Sequence, residues 1–173
     1  MPRTDQQKSE KLVSLIAKFS GYAFIVFGYI VGKNFAIPAL SAAAIYIIAK
    51  RISLKREDAY RIVLSLNVGY ACWFLFCFFV APDNAEPLVE GCLISILSIA
   101  FYLWAFNWVA YILAVYQIFG LYVNGLAVMN FIDSPAILKP LAVHILFRVS
   151  CVVSLVFALF ISRKLKRSAP ELT

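Results

Sequence analysis

The sequence predicts an all-α fold, a polytopic transmembrane helical bundle with six spans and with both termini in the cytoplasm. Of its 173 residues, 63% are apolar and only 14% are charged, whereas an average soluble domain has roughly 25% charged residues. The apolar residues fall in runs of about 20, which is the length of a helix that crosses a bilayer. The basic residues gather in alternate connections, as they do in cytoplasmic loops.

A polar tail, residues 1–11, precedes the first half of the bundle. The first three spans are predicted at residues 12–32, 35–54 and 62–81. Pro38 falls in the first turn of the second span, where its missing N–H is tolerated. A charged turn separates the second and third spans, and so many charges cannot lie in hydrocarbon.

The positions of the last three spans depend on where the chain reverses direction within the long apolar stretch 88–132. Glu90 is its only charged residue, and one straight helix of this length would measure roughly 65 Å, about twice the hydrocarbon thickness. Asn107 lies between tryptophans, which favour the membrane interface, so we expect the turn there. The last three spans are therefore predicted at residues 87–105, 108–131 and 140–161.

The distribution of charge predicts the orientation. Most of the 16 basic residues lie in the tail 1–11 and at its boundary with the first span, in the turn between the second and third spans, and in the tail 162–173. This arrangement places both tails inside, next to anionic lipids of the cytoplasmic face. We expect one transmembrane domain, 12–161, in a bacterial inner membrane. The net charge of +7 then records membrane orientation, so we expect no nucleic-acid partner.

Small residues in the first span are candidates for helix packing. Gly21, Gly28 and Gly32 share one face, and the last two have the small-xxx-small spacing that lets membrane helices approach closely. We expect this face to contact the second span within the same chain. A seam between two copies of the chain is the alternative.

Four side chains in the last two spans are candidates for binding a ligand or a lipid headgroup. Gln117 and Asn124 lie on the small and polar face of the fifth span, while His144 and Arg148 lie four residues apart on the sixth. Ionisable residues inside a membrane are functional candidates by default. A polar crevice between these two helices and an internal hydrogen-bonding network are both consistent with the pattern.

Arg148 is the one charge that the topology leaves unexplained. Within the protein its partner could be Gln117, Asn124 or a backbone carbonyl, or an acidic residue near the outer edge, Glu90 or Asp133. An anionic ligand or headgroup is the alternative partner. The sequence leaves these choices open.

Catalytic motifs are nearly absent from the sequence. It has one histidine and no pair of carboxylates within a span, and these features exclude the usual intramembrane metalloprotease and aspartyl-protease chemistry. We therefore expect no enzyme, no metal and no cofactor. A membrane-embedded hydrolase using His144 is the one enzymatic alternative, and no GxSxG motif accompanies this histidine.

Three functional classes remain. We favour a small membrane protein that acts through protein–protein contacts in the bilayer, as an accessory subunit, a regulator, or an immunity or exclusion protein. Its expected partner is another membrane protein or a second copy of the chain. The alternative is a small-solute carrier or a substrate-binding membrane subunit with a crevice between the fifth and sixth spans. An oligomeric pore is the third class, although no selectivity filter is recognisable.

Overall fold

The computed structural model describes residues 36–52, 58–80 and 82–168, with side chains as far as residue 160. Every regular element within these ranges is an α-helix, which confirms the predicted all-helical class. The five helices of the described residues are α1 (Ala36–Arg51), α2 (Asp58–Val80), α3 (Glu86–Trp104), α4 (Asn107–Asn130) and α5 (Pro135–Ser168).

Four of these helices are long and apolar enough to cross a membrane, as expected of an integral membrane protein. They are α2, α3, α4 and the Pro135–Phe160 part of α5. The described residues do not support the full set of six predicted spans, because α1 has only 16 residues and a crossing needs about 20. The predicted span 12–32, with Gly21, Gly28 and Gly32, lies outside the described residues.

Two helices extend beyond the apolar runs from which their spans were predicted. α2 begins four residues before the predicted start at residue 62, and Asp58 in its first turn forms an ion pair with Arg61 at 2.7 Å. An acidic residue at a helix N-terminus is favoured by the helix dipole. α5 continues on both sides of the predicted span 140–161. Apolar patterning marks the part of a helix that lies in hydrocarbon, and a charged turn can extend the helix past it.

The long apolar stretch breaks between α3 and α4. Ala105 has a left-handed backbone, with φ 53°, and its N–H donates to the carbonyl of Phe101 at 2.9 Å. Phe106 is extended, and α4 begins at Asn107. The reversal thus lies at residues 105–106, and Asn107 is the first residue of the next helix rather than part of the turn.

α2 is the central helix of the described bundle, because it contacts α1, α3 and α5, whereas α4 packs on α5 and α3. Its approach to α1 is close at Gly69, where an added β-carbon would lie 2.6 Å from the β-carbon of Ala42. Such close approach at glycine is the usual way in which membrane helices gain van der Waals contact. The bundle therefore buries one long face of α2 and leaves much of α4 exposed.

Candidate functional site

The only buried cation among the described side chains is Arg148, near the middle of the membrane-spanning part of α5. Its residue surface is 5% exposed. A charge inside a membrane protein is costly unless it is paired and hydrogen-bonded. Arg148 forms an ion pair through its Nη2 with the Oε1 of Glu90 on α3, and this pair is neutral as a whole.

The hydrogen bonds continue from Arg148 through two amide side chains. Nη1 of Arg148 donates to Oε1 of Gln117 at 3.1 Å, and Nε2 of Gln117 donates to Oδ1 of Asn67 at 3.0 Å. Nδ2 of Asn67 then donates to the carbonyl oxygen of Val63 at 2.9 Å. Each group donates in the same direction, so every bond polarises the next one favourably.

We call Glu90, Arg148, Gln117 and Asn67 the polar chain. Its members come from α3, α5, α4 and α2 in that order, so one hydrogen-bonded series joins the four described helices that are long enough to cross a membrane. Gln117 and Asn67 are fully buried. Because lipid tails provide no hydrophobic drive between helices, hydrogen bonds of this kind help to fix which helices associate.

Gly120 provides the space for the guanidinium group. A β-carbon at this position would overlap Nη1 and Cζ of Arg148. Gly120 lies about one helical turn after Gln117 on α4. The same face of α4 therefore supplies both a hydrogen-bond acceptor and the gap through which the arginine reaches it.

Aromatic rings surround the remaining sides of the guanidinium. Its Cζ atom lies 5.4 Å from the ring centroid of Tyr70, 5.9 Å from that of Phe74 and 5.5 Å from that of Tyr116. Cations at such distances are attracted by the negative face of an aromatic ring, and the attraction is greater where water is excluded. The rings thus add to the stabilisation of the charge that Glu90 provides.

His144 lies one turn before Arg148 and forms hydrogen bonds with two side chains of α2. Nε1 of Trp73 lies 3.1 Å from Nε2 of His144, and the hydroxyl of Tyr70 lies 2.8 Å from Nδ1. Because the indole nitrogen can only donate, Nε2 must be the acceptor, and a neutral imidazole then carries its proton on Nδ1. We therefore assign Nδ1–H as the donor to the Tyr70 oxygen. In this arrangement both ring nitrogens are used in joining α5 to α2.

The four predicted ligand candidates thus occupy different positions in the structure. Gln117 and Arg148 are in direct contact, and His144 joins them through Tyr70, whose ring lies beside both His144 and Arg148. Asn124 is half-buried, and its Nδ2 has no hydrogen-bond partner among the described residues. Of the partners considered for Arg148, the structure selects Glu90 and Gln117.

Several residues of this cluster are not among the candidates predicted from the sequence. Asn67 is a polar residue in the middle of an apolar span, so the rule that singled out Gln117 and Asn124 could also have found it. Tyr70 and Trp73 follow Asn67 at helical spacing, but aromatic residues are common throughout this chain and gave no signal. The role of Gly120 depends on the direction of the Arg148 side chain, which only the structure provides.

The cluster can bind charge and position helices. Among the described residues no three His, Cys, Asp or Glu side chains are placed to hold a metal ion. No protein-family model, curated protein or solved structure matches the chain.

Proposed function

We propose that the chain is a non-enzymatic integral membrane protein that acts through protein–protein contacts within the bilayer. Its role is that of an accessory subunit, a regulator, or an immunity or exclusion protein. The proposal includes six spans, both termini in the cytoplasm, a bacterial inner membrane and anionic lipids at the basic face. The observation that carries it is the internal pairing of the polar chain.

A solute-binding site needs polar groups whose hydrogen-bonding capacity is free to meet the solute. In this bundle, both Nη atoms of Arg148 bond to other side chains, and Gln117 uses its oxygen and its nitrogen within the same series. Glu90 balances the positive charge. These bonds favour a role in holding the helices together, with the outer helix faces left for contacts with partners.

Site-specific photo-cross-linking in native membranes tests this function. Ile96 of α3, Val115 of α4 and Val153 of α5 are exposed by 65%, 66% and 62%, so a photoreactive residue at each position samples a different helix with equal access. A protein partner should give a discrete adduct from one or two positions and none from the others. Adducts of equal yield at all three positions, or no protein adduct at any, would contradict the proposal.

The same membranes allow the partner to be quantified. After cross-linking, purification in nanodiscs should return the partner in a fixed ratio to the chain, and an unrelated tagged multi-span protein from the same host is the control. A monomer without any partner in the native host would count against an interaction function. Recovery of a second copy of the chain alone would narrow the function to a homo-oligomer.

The proposed topology has an independent test. Single cysteines at Glu86 and Lys55 should react with a membrane-impermeant reagent from opposite sides of the membrane. Labelling of both positions from the same side would exclude the six-span arrangement, and it would leave the interaction function open.

A small-solute carrier is the second candidate, and two buried donors favour it. Nε of Arg148 and Nδ2 of Asn124 both lack a hydrogen-bond partner among the described residues. Buried donors of this kind are normally satisfied, and an acceptor oxygen of a polar solute would satisfy either one. A chain carrying Arg148→Gln together with His144→Ala that still assembles but no longer binds a co-purifying small molecule would favour the carrier. Unchanged small-molecule content would exclude this site.

A further inference from the structure

α1 has two faces of different character. Pro38, Ala42 and Ala49 are buried, and α2 is the helix of the described bundle that α1 contacts most extensively. Opposite this seam, four apolar side chains face outward, and we call them the outward face of α1. Its members are Leu40, Ala43, Ala44 and Ile47. The surface therefore has two large side chains at its ends and two small ones between them.

The chain that precedes α1 is long enough to cover this face. Residues 12–32 form a run of 21 residues in which Lys18 is the only charge, and only residues 33–35 separate it from the start of α1. If the run is helical, such a short connection makes the two helices antiparallel neighbours. It also sets the register, because positions at equal distances from residue 34 lie at about the same height.

Glycines of the run fall level with the large side chains of the outward face. In this register Gly28 lies level with Leu40, and Gly21 lies level with Ile47. Gly21 and Gly28 are seven residues apart and so share one face of a helix. Leu40 and Ile47 have the same spacing on α1.

Large side chains of the run fall level with the small ones. In a helix, Phe24 and Ile25 would lie between the two glycines on the same face, level with Ala44 and Ala43. In this register each large residue on one helix would meet a small residue on the other, and alternation of this kind fills an interface between helices.

We propose that residues 12–32 form a membrane helix whose Gly21 to Gly28 face packs against the outward face of α1. This proposal rests on the six-span topology proposed above. It assigns the glycine stripe to contact within one chain. It also separates the alanines of α1 into two seams, with Ala42 facing α2 and with Ala43 and Ala44 facing the preceding helix.

Disulfide cross-linking in the full-length chain tests the proposal. The native cysteines are first replaced by alanine, at positions 72, 77, 92 and 151. One variant then carries Gly21→Cys with Ile47→Cys, and the matched control carries Gly21→Cys with Ile48→Cys. Ile47 and Ile48 are both 54% exposed and lie at nearly the same height, but Ile48 points to the side of the outward face. The second cysteine therefore points in a different direction in the two variants, but it is equally exposed in both.

Trypsin provides the readout, because cleavage after Lys18, Lys33 and Lys50 releases the two engineered cysteines on separate peptides. After oxidation in membranes, the Ile47 variant should give linked peptides 19–33 and 34–50 from a monomeric band, at several times the yield of the Ile48 control. Equal yields from both variants would overturn the proposed face.

Two further outcomes would also overturn the proposal. A disulfide dimer formed by the single variant Ile47→Cys would show that a second copy covers the outward face. Absence of linked peptides in both variants, with the chain correctly inserted, would show that the run does not pack on α1. The photo-cross-linking positions lie on α3, α4 and α5 and not on α1, so this proposal and the interaction function can fail separately.

Discussion

The guanidinium group of Arg148 occupies the space beside the backbone of Gly120 where any other residue would place its β-carbon. The packing of α5 on α4 therefore depends on this pair of residues, since α5 carries the charged side chain and α4 has the glycine that leaves room for it. The gap lies next to Gln117, which accepts a hydrogen bond from the same group. Loss of the gap should thus affect the whole polar chain.

Gly120→Ala should destabilise the bundle, because the new methyl group must displace a guanidinium that Glu90 and Gln117 hold in place. Overfilling a packed interior costs about 1–3 kcal/mol, which should lower the melting midpoint of the purified protein in detergent. Gly125→Ala on the same helix is the control, since a β-carbon there meets nothing within 4 Å. Equal melting midpoints for the two variants would show that Arg148 moves aside without cost.

Glu90→Gln should destabilise the bundle by about 3 kcal/mol, because it leaves Arg148 buried without a counter-charge. Glu86→Gln is the control at an exposed carboxylate in the first turn of the same helix. Thermal unfolding followed by size-exclusion chromatography measures both variants.

A double-mutant cycle separates the ion pair from other effects of the Glu90 substitution. Once Arg148→Gln has removed the cation, Glu90→Gln should cost much less than it does in the parent protein. Additive losses would show that the two residues do not stabilise each other.

Gln117→Leu should lower the free energy of unfolding by about 1–2 kcal/mol. Leucine has a similar size, but it cannot accept the hydrogen bond from Arg148 or donate the one to Asn67. Asn124→Leu on the same face of α4 should cost less, since Nδ2 of Asn124 has no hydrogen-bond partner among the described residues. Melting midpoints in detergent check the order. A larger loss at Asn124 would indicate that Asn124 binds a group outside the described residues.

The predictability of the fold differs from that of the site for physical reasons. Apolar runs of bilayer length are visible in one dimension, so the helical class and the approximate positions of the long helices follow from composition and length. The ends of the helices cannot be predicted in this way, because a charged turn such as Asp58 to Arg61 extends a helix beyond its apolar segment. The break at Ala105 was expected nearby because two tryptophans mark an interface there.

The site was predictable as a set of polar residues but not as a set of pairs. Arg148 and Gln117 stand out because polar groups are expensive in hydrocarbon. Several partners for Arg148 lay within reach of a long side chain, and the selection among them depends on how α3, α4 and α5 are arranged around it. Gly120 carries no polar signal at all, although the position of the guanidinium depends on it.

The close crossing of α1 and α2 depends on the absence of a side chain at Gly69. In Gly69→Ala the new β-carbon would lie 2.6 Å from the Ala42 β-carbon and 2.7 Å from its backbone nitrogen and Cα atoms. Backbone atoms cannot rotate away, so α1 must move. We expect the free energy of unfolding to fall by about 1–3 kcal/mol, and thermal unfolding measures the change. Gly91→Ala should destabilise the protein less, because its new β-carbon would lie no closer than 3.1 Å to any atom outside its own part of the helix.

The identity of the clashing atoms allows a stricter form of this test. Ala42→Gly removes the β-carbon from the crossing but leaves the backbone nitrogen and Cα atoms in place. The double variant Gly69→Ala with Ala42→Gly should therefore remain destabilised, with a melting midpoint close to that of Gly69→Ala alone. Restoration to the parent midpoint would mean that the two helices touch only through side chains, and that glycine at position 69 is not needed to bring the backbones together.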